Sequence, residues 1–214
     1  MTKSAIEIRN EKLGKQVVKA LEKRSFEAYY VATKEEAQVK ALELIPEGDL
    51  VSWGGSSTLE EIGLLKKLHE CGKYQILDRD QFPSSERYEI MRKALLCDTY
   101  ISSTNGLTED GQLVNLDGNG NRVAAMTFGP KSVIVVAGMN KVTKDLDTAI
   151  SRVRNTAAPI NCQRFADKKT PCNVTGECGD CTSTDSICAY LVVTRLSKPA
   201  KKIKVILVGE DLGF

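Results

Sequence analysis

The sequence predicts an α/β fold: a largely parallel sheet with helices on both faces. Three observations predict it. Short β-prone runs alternate with amphipathic helical stretches through residues 4–105, the pattern of βαβ crossovers. Residues 106–138 then change to short strands punctuated by Asp-Gly turns. Hydrophobic residues make up 42% of the 214 and charged residues 27%, which suffices for an ordinary core.

The elements follow in chain order. Residues 4–24 put Ile6, Leu13, Val17, Val18 and Leu21 near helical spacing, with charges between them. "FEAYYVAT" (26–33) is β-prone, and Thr33 with Glu36 opens a helix over 34–44 as a capping box. "DLVSWGG" (49–55) reads as a buried strand ending in glycines. "SSTLEEIGLLKKLHECG" (56–72) reads as one helix with Leu59, Ile62, Leu65 and Leu68 on a face. A strand at 74–78, a serine-capped helix at 84–97 after Pro83 and a strand at 99–105 complete the alternation. In the middle, Asp110-Gly111 and Asp117-Gly118 read as hairpins or tight turns. Residues 143–159 form a helix capped by Thr143, with Leu146, Ala149, Ile150 and Val153 inward, and strands at 189–195 and 202–214 end the chain. With no repeat and no linker, this is one domain over 1–214 with an irregular cysteine-bearing loop at 159–189.

Composition excludes several classes of partner. The formal net charge is +2 with no long basic run, and aromatics are only 6%, so nucleic acid is not expected. The longest apolar run, "SVIVVAG" (132–138), is far too short to span a membrane. The charged N-terminal stretch has no signal-peptide core, and the expected location is the cytoplasm. Seven cysteines in that compartment are not expected to be disulfide staples. There is one histidine, His69, in a predicted helix, so a Ser-His-Asp mechanism and a histidine metal site are both excluded.

Two segments carry candidate ligand groups. Gly54, Gly55, Ser56, Ser57 and Thr58 lie between a strand and a helix, where glycines allow close backbone approach and free N–H groups suit an anion. Ser57 with Glu60 and Thr58 with Glu61 also match plain capping boxes, which need no ligand. The second segment, 102–131, is rich in Asn, Asp and Gly, and turn chemistry explains much of it. Asn105, Asn115, Arg122 and Lys131 stand instead at predicted strand ends, where open α/β sheets hold ligands; Asn140 and Lys141 follow in "GMNK".

The third segment is "PCNVTGECGDCTSTDSIC". Cys172, Cys178, Cys181 and Cys188 lie within 18 residues, with Cys162 upstream as an alternative ligand. Clustered thiolates select zinc or an iron–sulfur cluster and exclude magnesium and calcium. The spacing matches neither the ferredoxin run nor a zinc ribbon, so the metal stays open. Reduced thiols able to form a regulatory disulfide are the other reading.

"GGSSTLEEIG", "STNGLTEDGQLVNLDGNGNRVAAMTFGPKSVIVVAGMNKV", "AISRVRNTAAPIN", the cysteine run and "KIKVILVGEDLGF" together resemble a small stand-alone member of the lactate-utilization (LUD) domain family. The resemblance implies a Rossmann-like three-layer α/β/α sandwich of the sugar-isomerase and CoA-transferase-like kind, in which a glycine–serine turn holds an anion. It implies a part in oxidising L-lactate to pyruvate beside iron–sulfur oxidoreductase subunits, and a homodimer. The chain has no flavin or nicotinamide fingerprint, so it would serve as an accessory subunit holding a small carboxylate or phosphate-bearing ligand, with an iron–sulfur cluster or, alternatively, zinc. The alternatives are a phosphosugar isomerase or acyl-CoA transferase-like enzyme, with Glu60, Glu61, Glu109 and Asp110 as carboxylate candidates, and a non-catalytic ligand-binding protein.

Overall fold

The computed structural model describes residues 3–214; Met1 and Thr2 of the charged N-terminal stretch lie outside the described residues. The chain begins with α1 (Ala5–Lys23), closed by a capping box between Ser4 and Glu7. Next come β1 (Glu27–Val31), α2 (Lys34–Glu43) and β2 (Leu50–Trp53). Thr33 caps α2 as expected, but the Glu36 carboxylate accepts from the Ala32 N–H instead of that of Thr33.

The helix expected over 56–72 is two helices, α3 (Ser57–Glu61) and α4 (Leu64–Glu70). Gly63 between them has a left-handed φ of 67°, which an L side chain resists, and Gln38 Nε2 donates to the freed Ile62 carbonyl. Then follow β3 (Gln75–Ile76), a 3₁₀ turn at Arg79–Gln81, α5 (Arg87–Lys93) and β4 (Thr99–Ser102). Residue 86 precedes α5 with no side-chain cap, so the expected serine cap there is not formed.

The hairpin at Asp110-Gly111 joins β5 (Gly106–Thr108) and β6 (Leu113–Asp117) antiparallel. The second turn differs from the expectation. The Asp117 carboxylate accepts from the N–H groups of Asn119, Gly120 and Val123, and so starts α6 (Asn121–Thr127). β7 (Ser132–Gly138), a 3₁₀ turn at Met139–Lys141 and β8 (Val142–Thr143) lead to α7 (Leu146–Arg152). Thr143 lies in β8, and Asp145 caps α7, accepting from Thr148 N–H at 2.9 Å. A π-helical turn, Val153–Ala157, continues into α8 (Ala158–Cys162). The cysteine segment holds one short helix, α9 (Pro171–Thr175), before β9 (Tyr190–Thr194) and β10 (Ile203–Val208).

Six strands form a parallel sheet in the order β1-β10-β7-β4-β2-β3; the smaller sheet is β8-β5-β6-β9. Side chains alternate across the large sheet. Val51, Trp53, Ile101, Ile134, Val136 and Ile206 meet Ala37, Ala41, Leu59, Leu64 and Leu68 on one face. Val133, Val135, Val205 and Leu207 meet Val17, Leu21, Leu107, Leu113 and Met126 on the other. Each fully buried leucine contributes roughly 1.5–3 kcal/mol of transfer free energy. Among the described residues no helix is long and apolar enough to cross a membrane.

The winding direction reverses at one place. The chain moves outward from β2 to β3, then returns to lay β4 on the other side of β2. The crevice at the carboxyl ends of β2 and β4 is therefore the switch point, where open α/β sheets bind ligands.

Candidate functional site

The glycine–serine turn sits at this crevice. Ser56 has extended backbone (φ −158°, ψ 117°) and its hydroxyl accepts from Leu59 N–H, so Ser56, and neither Ser57 nor Thr58, caps α3. Glu61 is drawn elsewhere, its carboxylate accepting from Gly213 N–H at 3.0 Å. Thr58 is buried, and its hydroxyl meets Lys141 Nζ at 2.8 Å.

Lys141 is the central finding of the site. It ends the turn after β7, is 2% exposed, and also donates to Ser103 Oγ at 3.0 Å, just past β4. Both partners are neutral hydroxyls. Burial, followed by the charges of Arg152 and Arg122, pulls its pKa down to about 7, with Glu61 acting weakly the other way. Arg152 is fastened beside it, donating from Nε to Asn140 O at 3.0 Å and from Nη1 to Asn105 O at 2.5 Å. The cluster is cationic and rich in hydroxyls. In the sequence Lys141 stands within "GMNK" and is not among the residues at predicted strand ends. The available signal was its position directly after the apolar strand "SVIVVAG".

The other candidates are placed differently. Arg122 directs Nη1 to Ser103 O and Asn115 Oδ1 and Nη2 to Asn105 Oδ1 and Leu116 O, with Nε 3.8 Å from Asp117. Its donors are engaged inside the protein, so Arg122, Asn105 and Asn115 form a clamp that joins β4, β6 and α6. Lys131 is exposed at the start of β7, 3.5 Å from Asp98, at the opposite edge of the sheet from the turn. Asp110 pairs at 2.5 Å with Arg24, which precedes β1 and so marks that same far edge. Glu109 pairs with Lys144 at 2.8 Å. The fold does not bring Lys131, Glu109 or Asp110 to the glycine turn. Glu60 faces Arg164 at 3.7 Å. His69 lies edge-on to Trp53 and 3.2 Å from Asp78.

The cysteines form a second centre. Cys172, Cys178, Cys181 and Cys188 line one cavity of about 70 Å³ with Leu116, Pro159 and Arg154. Cys162 is buried beside them, and its Sγ and that of Cys172 share the Thr170 hydroxyl at 3.2 and 3.3 Å. All seven thiols are free. Burial, then the neighbouring thiols of Cys172, Cys178 and Cys181, pushes Cys188 up to about 12. Among the described residues no three Cys, His, Asp or Glu side chains converge as ligands of one ion. The donor set is nonetheless all soft sulfur and suits zinc or an iron–sulfur cluster chemically.

One helical run reaches both centres. The helical run from α7 through the π turn carries Arg152 to the Lys141 side and Arg154, two residues on, to the cysteine cavity. π-helical turns of this kind are frequent at functional sites.

No curated protein matches the chain. Among solved structures it is similar to a DUF162 family protein from Deinococcus radiodurans, at 11% identity and a TM-score of 0.54 over 93% of this chain and 98% of that one. Ribose 5-phosphate isomerase A from Neisseria gonorrhoeae aligns with 53% of this chain and 54% of its own, at 17% identity and a TM-score of 0.35. 5-Methylthioribose 1-phosphate isomerase from Pyrococcus horikoshii aligns with 76% of this chain and 50% of its own, at 12% identity and a TM-score of 0.38. The likeness to the first of these concerns the fold. Residues 14–208 match the LUD domain, and the chain therefore belongs to the LUD domain family.

Proposed function

We propose that this LUD-family chain is an accessory redox subunit in lactate utilization, holding a small carboxylate at the glycine turn and an iron–sulfur cluster at the cysteine cavity. The observation that carries the reading is that one helical run reaches both centres: a buried cationic cluster around Lys141 through Arg152, and a cavity lined by four free thiols through Arg154. Oxidation of L-lactate to pyruvate releases two electrons and two protons. A cluster at Cys172, Cys178, Cys181 and Cys188, with Cys162 in reserve, would supply one-electron transfer to partner subunits.

The chain's own groups do the binding. Lys141 Nζ, divided between ammonium and amine near neutral pH, anchors an anion in its charged form. Ser56, Ser57 and the glycines offer backbone approach without a blocking side chain. The alternative, an isomerase or transferase, needs a carboxylate base at this edge; Glu61 is near the turn, whereas Glu109 and Asp110 are not.

The test is anaerobic purification followed by iron, sulfide and zinc analysis and a visible spectrum. About four irons per chain with broad visible absorption is the expected result. Colourless protein carrying one zinc would overturn the redox reading and leave the cysteines as a structural clip.

A further inference from the structure

A recess opens under the glycine turn on the side away from α3, at the switch point between β2 and β4. Its polar wall is Ser52, Tyr100, Arg79 and Asn121, and its apolar wall is Trp53 with Ile90, Met91 and Ala94 in and just after α5. Its volume is about 10 Å³, room for one oxygen-sized atom.

Three features of its walls leave donors free at the turn. Tyr100 is 2% exposed, yet its hydroxyl has no hydrogen-bond partner among the described residues. Among the described residues every fully enclosed side-chain N or O is hydrogen-bonded, so this hydroxyl is not sealed in but stands open to the recess as a free donor. That hydroxyl faces the turn, 3.2 Å from where a Cβ on Gly54 would stand. Burial raises its pKa, so it is an O–H donor at every ordinary pH. The Arg79 guanidinium is also short of acceptors. Its nearest are Met91 Sδ at 3.7 Å and the exposed Asp80 carboxylate at 3.9 Å. Finally, Arg79 Nη2 lies over Gly55, where a Cβ would stand 2.6 Å away. The missing side chain at residue 55 is what admits the guanidinium to the turn.

We infer that Arg79 and Tyr100, with Asn121 at the rim, receive one oxygen of a carboxylate or phosphate group and so determine which small anion the turn accepts. The recess is too small for a whole ligand, so the remainder of the molecule lies outside it, across Gly54 and Gly55. Arg79 offers a planar fork that fits either group in two-point contact, and Tyr100 supplies a neutral donor from below. This inference rests on the reading of the turn as an anion site.

The experiment is isothermal titration of the intact protein with L-lactate, pyruvate and inorganic phosphate. It is repeated on Arg79→Met and Tyr100→Phe, with the melting temperature of each recorded. The tightest of the three anions should bind about tenfold or more weakly to each variant, the loss expected for one hydrogen bond to a charged group. Tyr100→Phe removes a hydroxyl that bonds to nothing in the protein, so its melting temperature should hold while affinity falls; a purely structural role would not split the two. Unchanged affinity in both variants, with binding by the wild type, would overturn the recess while leaving the turn. No binding of any of the three anions by the wild type would overturn both.

Discussion

Lys141 Nζ donates to the Thr58 hydroxyl at 2.8 Å, across 83 positions of sequence and from one crossover of the sheet to another. The contact seats an ammonium beneath the glycine turn with only hydroxyls as partners. Its position makes the turn cationic, and its burial makes that charge depend on pH near neutrality.

The first prediction follows from that burial. The folded pKa of Lys141 is depressed to about 7 from an ordinary 10.5. Between these values the unfolded chain binds more protons than the folded one, so this group makes stability rise with pH. The penalty is fully present below pH 7 and relieved above it. Urea denaturation at pH 7 and 8.5 should show wild type gaining about 1.5 kcal/mol relative to Lys141→Met. Taking the difference cancels Cys97 and Cys188, whose thiols burial pushes up to about 12. An anion held by the ammonium should in turn bind more weakly as pH rises through 7. A flat difference between the two proteins would contradict the assignment.

Arg122 should matter through structure. Replacing it with Met removes the donor to Asn115 Oδ1, one of two donors each to Asn105 Oδ1 and Ser103 O, the bond to Leu116 O and the charge beside buried Asp117. Breaking a buried charged network of this kind costs about 3–5 kcal/mol. The equilibrium urea midpoint should fall accordingly, and Arg122→Lys, which cannot span four acceptors, should recover only part of the loss.

Gly138 ends β7 beneath the C-terminal segment. A Cβ there would stand 2.5 Å from Leu212 N and 2.7 Å from Glu210 O, both backbone atoms that cannot rotate aside. Gly138→Ala should therefore lower stability by about 2 kcal/mol or more, read from thermal or urea unfolding. Gly55→Ala meets only the tip of the Arg79 side chain and should leave stability nearly unchanged.

Thiol reactivity offers a separate check on the metal-free protein. Cys178 is exposed and should react with a disulfide reagent first. Cys97 is 2% exposed, donates to Thr99 O at 3.3 Å, and is held up near 12 by burial, so it should stay unreacted until the chain unfolds. Mass spectrometry of partly labelled protein gives the order. Early labelling of Cys97 would contradict the packing around β4.

Much of the fold was legible in the residues. The alternation of strands and helices, the Thr33 cap and the buried run at 132–138 are local signals, and the structure follows them. Where the structure departs from these signals, a neighbouring group makes the deciding hydrogen bond. Ser57, Thr58 and Thr143 each looked like caps, but their neighbours Ser56 and Asp145 hold the cap hydrogen bonds. Gly63 broke a helix that looked continuous because α2 supplies Gln38 to the broken end. Asp117-Gly118 looked like a hairpin turn because its chemistry is that of a turn, yet three N–H groups on one carboxylate start a helix.

The sequence by itself determined the class of fold, the family, a glycine–serine turn between a strand and a helix and the clustering of cysteines at 172–188, because periodicity, turn residues and thiol spacing are properties of neighbouring residues. Only the tertiary structure decided which candidates share an edge. It carried Lys141 and Arg79 to the glycine turn, turned Arg122 inward, and left Lys131 and Asp110 at the far edge. The physical reason is the parallel sheet. Each crossover returns the chain to the same edge, so residues far apart in sequence meet at the strand ends, in an order set by strand pairing that no local pattern records.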